Sequence, residues 1–270
     1  ENKAKKAEMV QTPDDKYMLM YNPEEWSEKA TERGSRVQQL FEMRLARSTK
    51  AFTARGGRVQ RCDQCRIDRQ FCICTLRPSA PSNAAFLLLY YDDEVLKPSN
   101  SGRLIADLFS DTFAYIWQRT EAEPALLALL KDPIWRPIVV FPQEYATPER
   151  ELCQPEALNL AGRRPLFILL DGSWREAKKM FRKSPYLDGF PVWSVTPEAP
   201  SRYQVRKAAK EVQLATAEVA AMLLSELGET ANSALLHAWF DLFSYRYQMG
   251  VKRVNRGDAG AEARLAALRQ

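Results

Sequence analysis

Two groups of residues in this chain have the types and spacing to do chemistry. The first is Cys62-x2-Cys65-x6-Cys72-x-Cys74, which holds four of the five cysteines. Four thiolates this close can surround one metal ion. Tetrahedral zinc held by four sulfurs keeps no open position, so such a site serves the fold rather than the reaction. Arg61, Arg66, Arg69 and Arg77 flank or interleave the ligands, and positive charge favours thiolate over thiol. Two other readings use the same residues. Paired disulfides suit a small secreted domain better than a 270-residue chain with an odd cysteine; an iron–sulfur cluster shares the ligand type. The second group is Asp171-Gly172-Ser173-Trp174. It offers a carboxylate, a residue free to make a tight turn, a helix-capping hydroxyl and a flat aromatic face on which a base can stack. A plainer role for the same residues is a helix cap beside a core tryptophan.

The elements that must position these groups follow from the hydrophobic pattern. Apolar runs at 84–91, 113–117, 138–141, 166–170 and 192–195 alternate with helical patterns at about 103–110, 124–131, 174–183, 209–227 and 232–248. Near-continuous apolar strands between helices predict an α/β fold, a mostly parallel sheet with helices on both faces. Upstream, residues 27–50 predict a helix with Val37, Leu40, Phe41 and Leu45 on its inner face and Arg36, Arg44 and Arg47 around the rest. The chain divides accordingly into a polar, flexible leader over 1–30, a basic helix with the cysteine segment over 31–80, an α/β domain over 81–250 and a basic tail over 251–270.

In parallel sheets ligands bind beyond the carboxyl ends of the strands. The strand-to-helix turns are therefore the places to look. Asp171 ends the strongest strand. Ser99-Asn100-Ser101-Gly102-Arg103 opens a helix, where backbone amides can receive a carboxylate; a plain helix cap accounts for the spacing equally well. Phe141-Pro142 closes another strand, and Arg202, Arg206 and Lys207 precede a helix that contains Thr216 and Glu218. The single histidine, His237, lies in an apolar helix and reads as a core residue, which leaves a serine–histidine–acid triad without its base. Cys153 reads as a spare structural thiol.

Composition narrows the partner. The chain is 46% hydrophobic and 27% charged with a net charge of +5, and no apolar run is long enough to span a bilayer. A soluble, cytoplasmic protein with reduced thiols is expected. Charge is uneven: Arg33 to Arg77 holds eleven basic residues against three acids, Arg175 to Lys210 nine against three, and Tyr245 to Arg256 four against none. Basic clusters beside aromatic residues attract a phosphate backbone, although any one of them also fits an ordinary solvated face.

Ordered motifs resemble those of the DTW-domain proteins over about residues 36–250. Asp171-Gly172-Ser173-Trp174 resembles the Asp-x-(Thr/Ser)-Trp signature; Cys62 to Cys74 resembles the cysteine segment before the first strand. Ser99-Asn100-Ser101-Gly102-Arg103-Leu104 resembles the family's Asn-containing turn, and Ala215-Thr216-Ala217-Glu218-Val219-Ala220 its late helix start. Ser173 and Ala215 stand where Thr and Ser are common.

The resemblance implies a tRNA-uridine aminocarboxypropyltransferase, which moves the 3-amino-3-carboxypropyl group of S-adenosylmethionine to N3 of a uridine and leaves methylthioadenosine. A fold similar to the knotted SPOUT type is implied, with structural zinc at the four cysteines and tRNA, rather than DNA or a membrane, as partner. On this basis Asp171 is the candidate base, its proton affinity raised by burial beside Trp174. The donor is expected at Ser99, Asn100, Ser101, Gly102, Arg103, Phe141, Pro142, Trp174 and Thr216. The RNA is expected at Arg58, Arg61, Arg66, Arg175, Lys178, Arg202, Arg206 and Lys207. A SPOUT-type RNA methyltransferase and a non-catalytic zinc RNA-binding module are the alternative functions.

Overall fold

The apolar runs pair as an all-parallel six-stranded sheet. Its strands are β1 (Ala85–Tyr90), β2 (Thr112–Ile116), β3 (Trp135–Val140), β4 (Glu151–Leu152), β5 (Arg164–Asp171) and β6 (Val192–Trp193), in the order β2-β1-β5-β3-β6-β4. The computed structural model describes residues 34–54, 56, 58–152, 158–195, 215–252 and 254–269. The leader, Cys153, and Arg202, Arg206 and Lys207 lie outside the described residues.

Strand β5 enters late in the chain yet lies at the centre, between β1 and β3. Burial on both faces explains its apolar run and that of β1. Side chains alternate along a strand, so Phe86, Leu88 and Tyr90 enter one core while Ala85, Leu87 and Leu89 enter the other.

The second core is closed by α3 (Pro124–Lys131) and α4 (Trp174–Arg182). Against the first lie α1 (Arg36–Ala46), α2 (Gly102–Leu108), α5 (Thr216–Glu226), α6 (Thr230–Val251), α7 (Ala261–Leu268) and the cysteine segment. Helices thus cover both faces, as the sequence predicts.

Three local expectations change. Helix α1 begins at Arg36, with the Ser35 hydroxyl accepting the Gln38 amide at 3.2 Å. Its inner face is Val37, Leu40 and Met43, whereas Leu45 is 44% exposed. Arg36, expected outside, is buried with its guanidinium 3.8 Å from the centre of the Phe113 ring. After residue 250 the chain does not simply trail away: α7 packs Ala261 and Leu265 into the first core. There Arg246 pairs with Glu262 at 2.6 Å, and Arg264 reaches Asp241 at 2.6 Å and Asp258 at 2.5 Å. No described helix is long and apolar enough to cross a membrane.

Candidate active site and metal centre

Parallel pairing places the carboxyl ends of β1, β3, β5 and β6 on one rim, and the register sets Tyr90 directly beside Asp171. At that point three turns far apart in sequence meet. Asp171 is 3% exposed. The Asn100 amide donates to Asp171 Oδ1 and Oδ2, each at 3.1 Å, and to Glu94 Oε1 at 3.0 Å. An amide carries two hydrogens, so one serves Glu94 and the other is shared between the Asp171 oxygens. Asn100 Oδ1 accepts the Gly102 amide at 3.0 Å and the Tyr90 hydroxyl at 3.3 Å. The Ser101 hydroxyl accepts the Ala217 amide at 3.1 Å, which ties the start of α5 to the same turn. Glu218, also buried, folds back to accept the Ala215 amide at 3.0 Å.

Each partner has a physical reason to be where it is. Burial and the charge of Asp171 push the Tyr90 phenol well above its ordinary pKa, so it stays protonated and donates. Glu94 is almost fully buried, and Lys97 neutralises it at 2.7 Å. Asn100, expected to contact the donor, has its side-chain hydrogens and lone pairs engaged within the protein and is bonded to both oxygens of Asp171. Of the first amides of α2, that of Gly102 is taken by Asn100.

Gly102 is required by proximity. A Cβ there would lie 2.7 Å from both Asp171 Oδ2 and the Tyr90 hydroxyl. Gly102→Ala is therefore expected to cost about 1–3 kcal/mol through overpacking, measured as a lower denaturation midpoint. An unchanged midpoint would show that the cluster is looser than these distances imply.

On the second-core side, Ser173 and Glu176 form a reciprocal cap. The hydroxyl accepts the Glu176 amide at 3.3 Å, and the carboxylate accepts the Ser173 amide at 3.0 Å. This cap opens α4 and presents Trp174 half-buried on the rim. Trp174 stacks on Phe141 at 5.5 Å, and Phe141 stacks in turn on Phe181 at 4.5 Å. Tyr145 meets Trp174 edge-on at 5.7 Å. Phe141 and Trp174, both expected at the donor, are in contact with each other.

The basic residues separate into three groups. Arg58 and Arg175 are exposed. Lys178 lies 5.7 Å from the centre of the Trp174 ring. Arg61 and Arg66 do not form an open basic face. Arg61 bonds the Arg66 carbonyl at 2.8 Å and Tyr247 of α6 at 3.4 Å, while Arg66 is buried over Phe41, 3.3 Å from the ring centre. His237 is half-buried in α6, in keeping with a core position.

The four cysteines converge. Their sulfurs all lie within 4.8 Å of one another, with Cys62–Cys74, Cys65–Cys72 and Cys62–Cys72 each at 3.7 Å. Tetrahedral zinc with bonds of about 2.3 Å sets sulfurs about 3.8 Å apart, so the thiols fit one such ion. A disulfide needs about 2.05 Å, and a cluster would spread the cysteines over separate irons. Among local causes, burial pushes the Cys62 thiol up. The amides of Cys65 and Gln64 and the neighbouring thiols outweigh it and bring it down to about 7. Arg66 follows Cys65 with φ 65°, a left-handed turn closed by its amide bonding the Cys62 carbonyl at 3.0 Å. Ile67 and Ile73, both fully buried, carry the segment into the first core.

Tyr90 and Glu94 are site residues that sequence reading passed over. Tyr90 looks like another apolar strand residue, and Glu94 follows two aspartates like a solvated acid. Only the β1–β5 register reveals the first.

Together the parts define an α/β protein with a buried polar cluster at the carboxyl rim of its sheet and a separate group of four converging cysteines. The DTW-domain family model matches residues 59–248, and the chain belongs to that family. The family is one of tRNA modification. No solved structure matches the chain.

Proposed function

We propose that this protein transfers the 3-amino-3-carboxypropyl group of S-adenosylmethionine to N3 of a uridine in tRNA. The observation that carries the reading is the convergence of Asp171, Asn100–Gly102 and the start of α5 in one buried cluster at the sheet's carboxyl rim. These are three of the family's sequence motifs, and family membership supports tRNA as the substrate.

Bound S-adenosylmethionine supplies an activated carbon whose leaving group is a neutral thioether. The protein's part begins with uridine N3, a weak acid that must lose its proton before it can attack. Asp171 takes that proton, directly or through water; its carboxylate is buried where little water stabilises its charge. The freed lone pair on N3 then forms the N–C bond as the C–S bond breaks. A sulfonium has three electrophilic carbons, so position decides which one reacts. Asn100 fixes the carboxylate, Gly102 allows close approach, and Ser101 holds α5 with Thr216 at the rim. The outer face of the Trp174–Phe141 stack, bordered by Pro142, receives the adenine. Arg58, Arg175, Lys178 and the basic stretch containing Arg202, Arg206 and Lys207 meet the phosphates of the RNA.

The thiolate cluster is assigned to structural zinc. The late insertion of β5 between β1 and β3 is compatible with a threaded, SPOUT-like chain, which we include in the proposal.

The test is nucleoside analysis of unmodified tRNA after incubation with labelled donor. The expected product is uridine carrying the aminocarboxypropyl mass. A methyl mass would instead make the protein an RNA methyltransferase, and no incorporation together with no donor binding would leave a zinc RNA-binding module.

A further inference from the structure

Between the cysteine segment and the rim lies a small recess of about 10 Å³, lined by Arg66, Arg103, Lys97, Asn100, Gln38 and Phe41, among others. Arg103 is 7% exposed. Its Nε and Nη2 are sealed from solvent, and neither has a hydrogen-bond partner. The guanidinium lies 5.0 Å from the centre of the Phe243 ring of α6. Asp107, one turn along α2, accepts the Trp239 indole N–H at 3.0 Å rather than a hydrogen from Arg103.

A buried cation without an acceptor is costly, and mutual repulsion of neighbouring cations adds to the cost. Arg66 brings a second guanidinium to the same recess. It donates to Gln38 Oε1 at 2.8 Å and to the Asp63 carbonyl. Among the described residues neither Arg66 nor Arg103 is ion-paired. Of the acids nearby, Glu94 is already matched by Lys97 at 2.7 Å and Asn100 at 3.0 Å, and Asp107 acts on Arg103 through charge without a hydrogen bond between them.

We propose that this recess is an oxyanion subsite in which Arg103, supported by Arg66, holds one carboxylate or phosphate group. The planar fork of arginine donors suits either anion. The recess adjoins Asp171 through Asn100, whose other side holds the carboxylate in place. Two sources can supply such a group beside that corner: the amino-acid end of the donor and a phosphodiester of the RNA. The choice between them rests on the proposed function; the site itself does not.

Inorganic pyrophosphate, followed by thermal unfolding of the whole chain at fixed ionic strength, tests the site. Arg103→Met supplies the baseline for general salt effects. The parent protein should gain more stability from pyrophosphate than the variant does. Arg66→Gln should reduce the pyrophosphate gain and serves as the second variant if Arg103→Met does not fold.

Equal gains in the parent and in whichever variants fold would overturn the proposal. S-adenosylhomocysteine, 5′-methylthioadenosine and tRNA then separate the sources. Loss of affinity for S-adenosylhomocysteine alone, by about tenfold or more, assigns the carboxylate. A loss confined to tRNA assigns the phosphate. Unchanged affinity for all three, where the parent binds them, would also overturn the proposal. If the parent binds neither donor analogue nor tRNA, the functional reading fails while the pyrophosphate comparison still decides the subsite.

Discussion

Replacing Asp171 by Asn is expected to lower transfer by about a hundredfold or more, the scale of a lost general base, while S-adenosylmethionine still binds. Asparagine has nearly the same shape, and its side-chain oxygen can still accept the Asn100 hydrogen now shared by the two carboxylate oxygens. The fold should therefore survive. What is lost is the group that can take the N3 proton. Single-turnover rates at saturating donor, with calorimetric titration of the donor alongside, read the two effects separately. Full activity in the variant would remove Asp171 from the base role, and loss of donor binding would make it a ligand residue instead.

The second large effect is on stability. Stripping the metal, or substituting Cys65→Ser, is expected to lower the melting temperature by about 10 °C or more. Four thiols held within 4.8 Å of one another are placed to share one ion. Without it the segment must surrender part of the burial of Cys65, Ile67 and Ile73, together with the Arg66 contacts to Gln38 and Phe41. Because Arg61 bonds Tyr247 of α6 and Asp68 lies close to Gly250 of the same helix, the loosening should reach that helix as well. Metal analysis of the purified protein should find one equivalent per chain, and zinc should restore the melting point after chelation. A melting temperature indifferent to chelator would contradict a metal-held segment.

How far the sequence foretold this arrangement depends on the range of the contact concerned. Strands β1 and β5 could be read because burial on both faces makes Ala85–Tyr90 and Leu166–Leu170 near-continuous apolar runs. Ser173 could be read as a cap because its partner, Glu176, is three residues away. The thiolate cluster could be read from spacing alone, since a single ion demands close ligands. Contacts set by strand order could not. Nothing local to Tyr90 says that it ends beside Asp171; that follows from β5 being inserted next to β1. Glu94 and Asn100 are joined through a short helical turn and a loop rather than a regular repeat, so no periodicity marks them. Helix α7 was hidden for a different reason: its inward residues are only Ala261 and Leu265, too few to outweigh a basic composition. Arg66 and Arg36 mislead in the same way. Both look like surface charge, and both are buried over aromatic rings that arrive from elsewhere in the chain.

The most direct test of the account is a crystal structure of the protein with S-adenosylmethionine bound. The account predicts the donor at the carboxyl rim of the sheet, with its adenine against the outer face of Trp174 and the transferred chain facing the corner made by Asp171 and Gly102. A donor bound on the opposite edge of the sheet, or over the cysteine segment and away from Asp171, would contradict it.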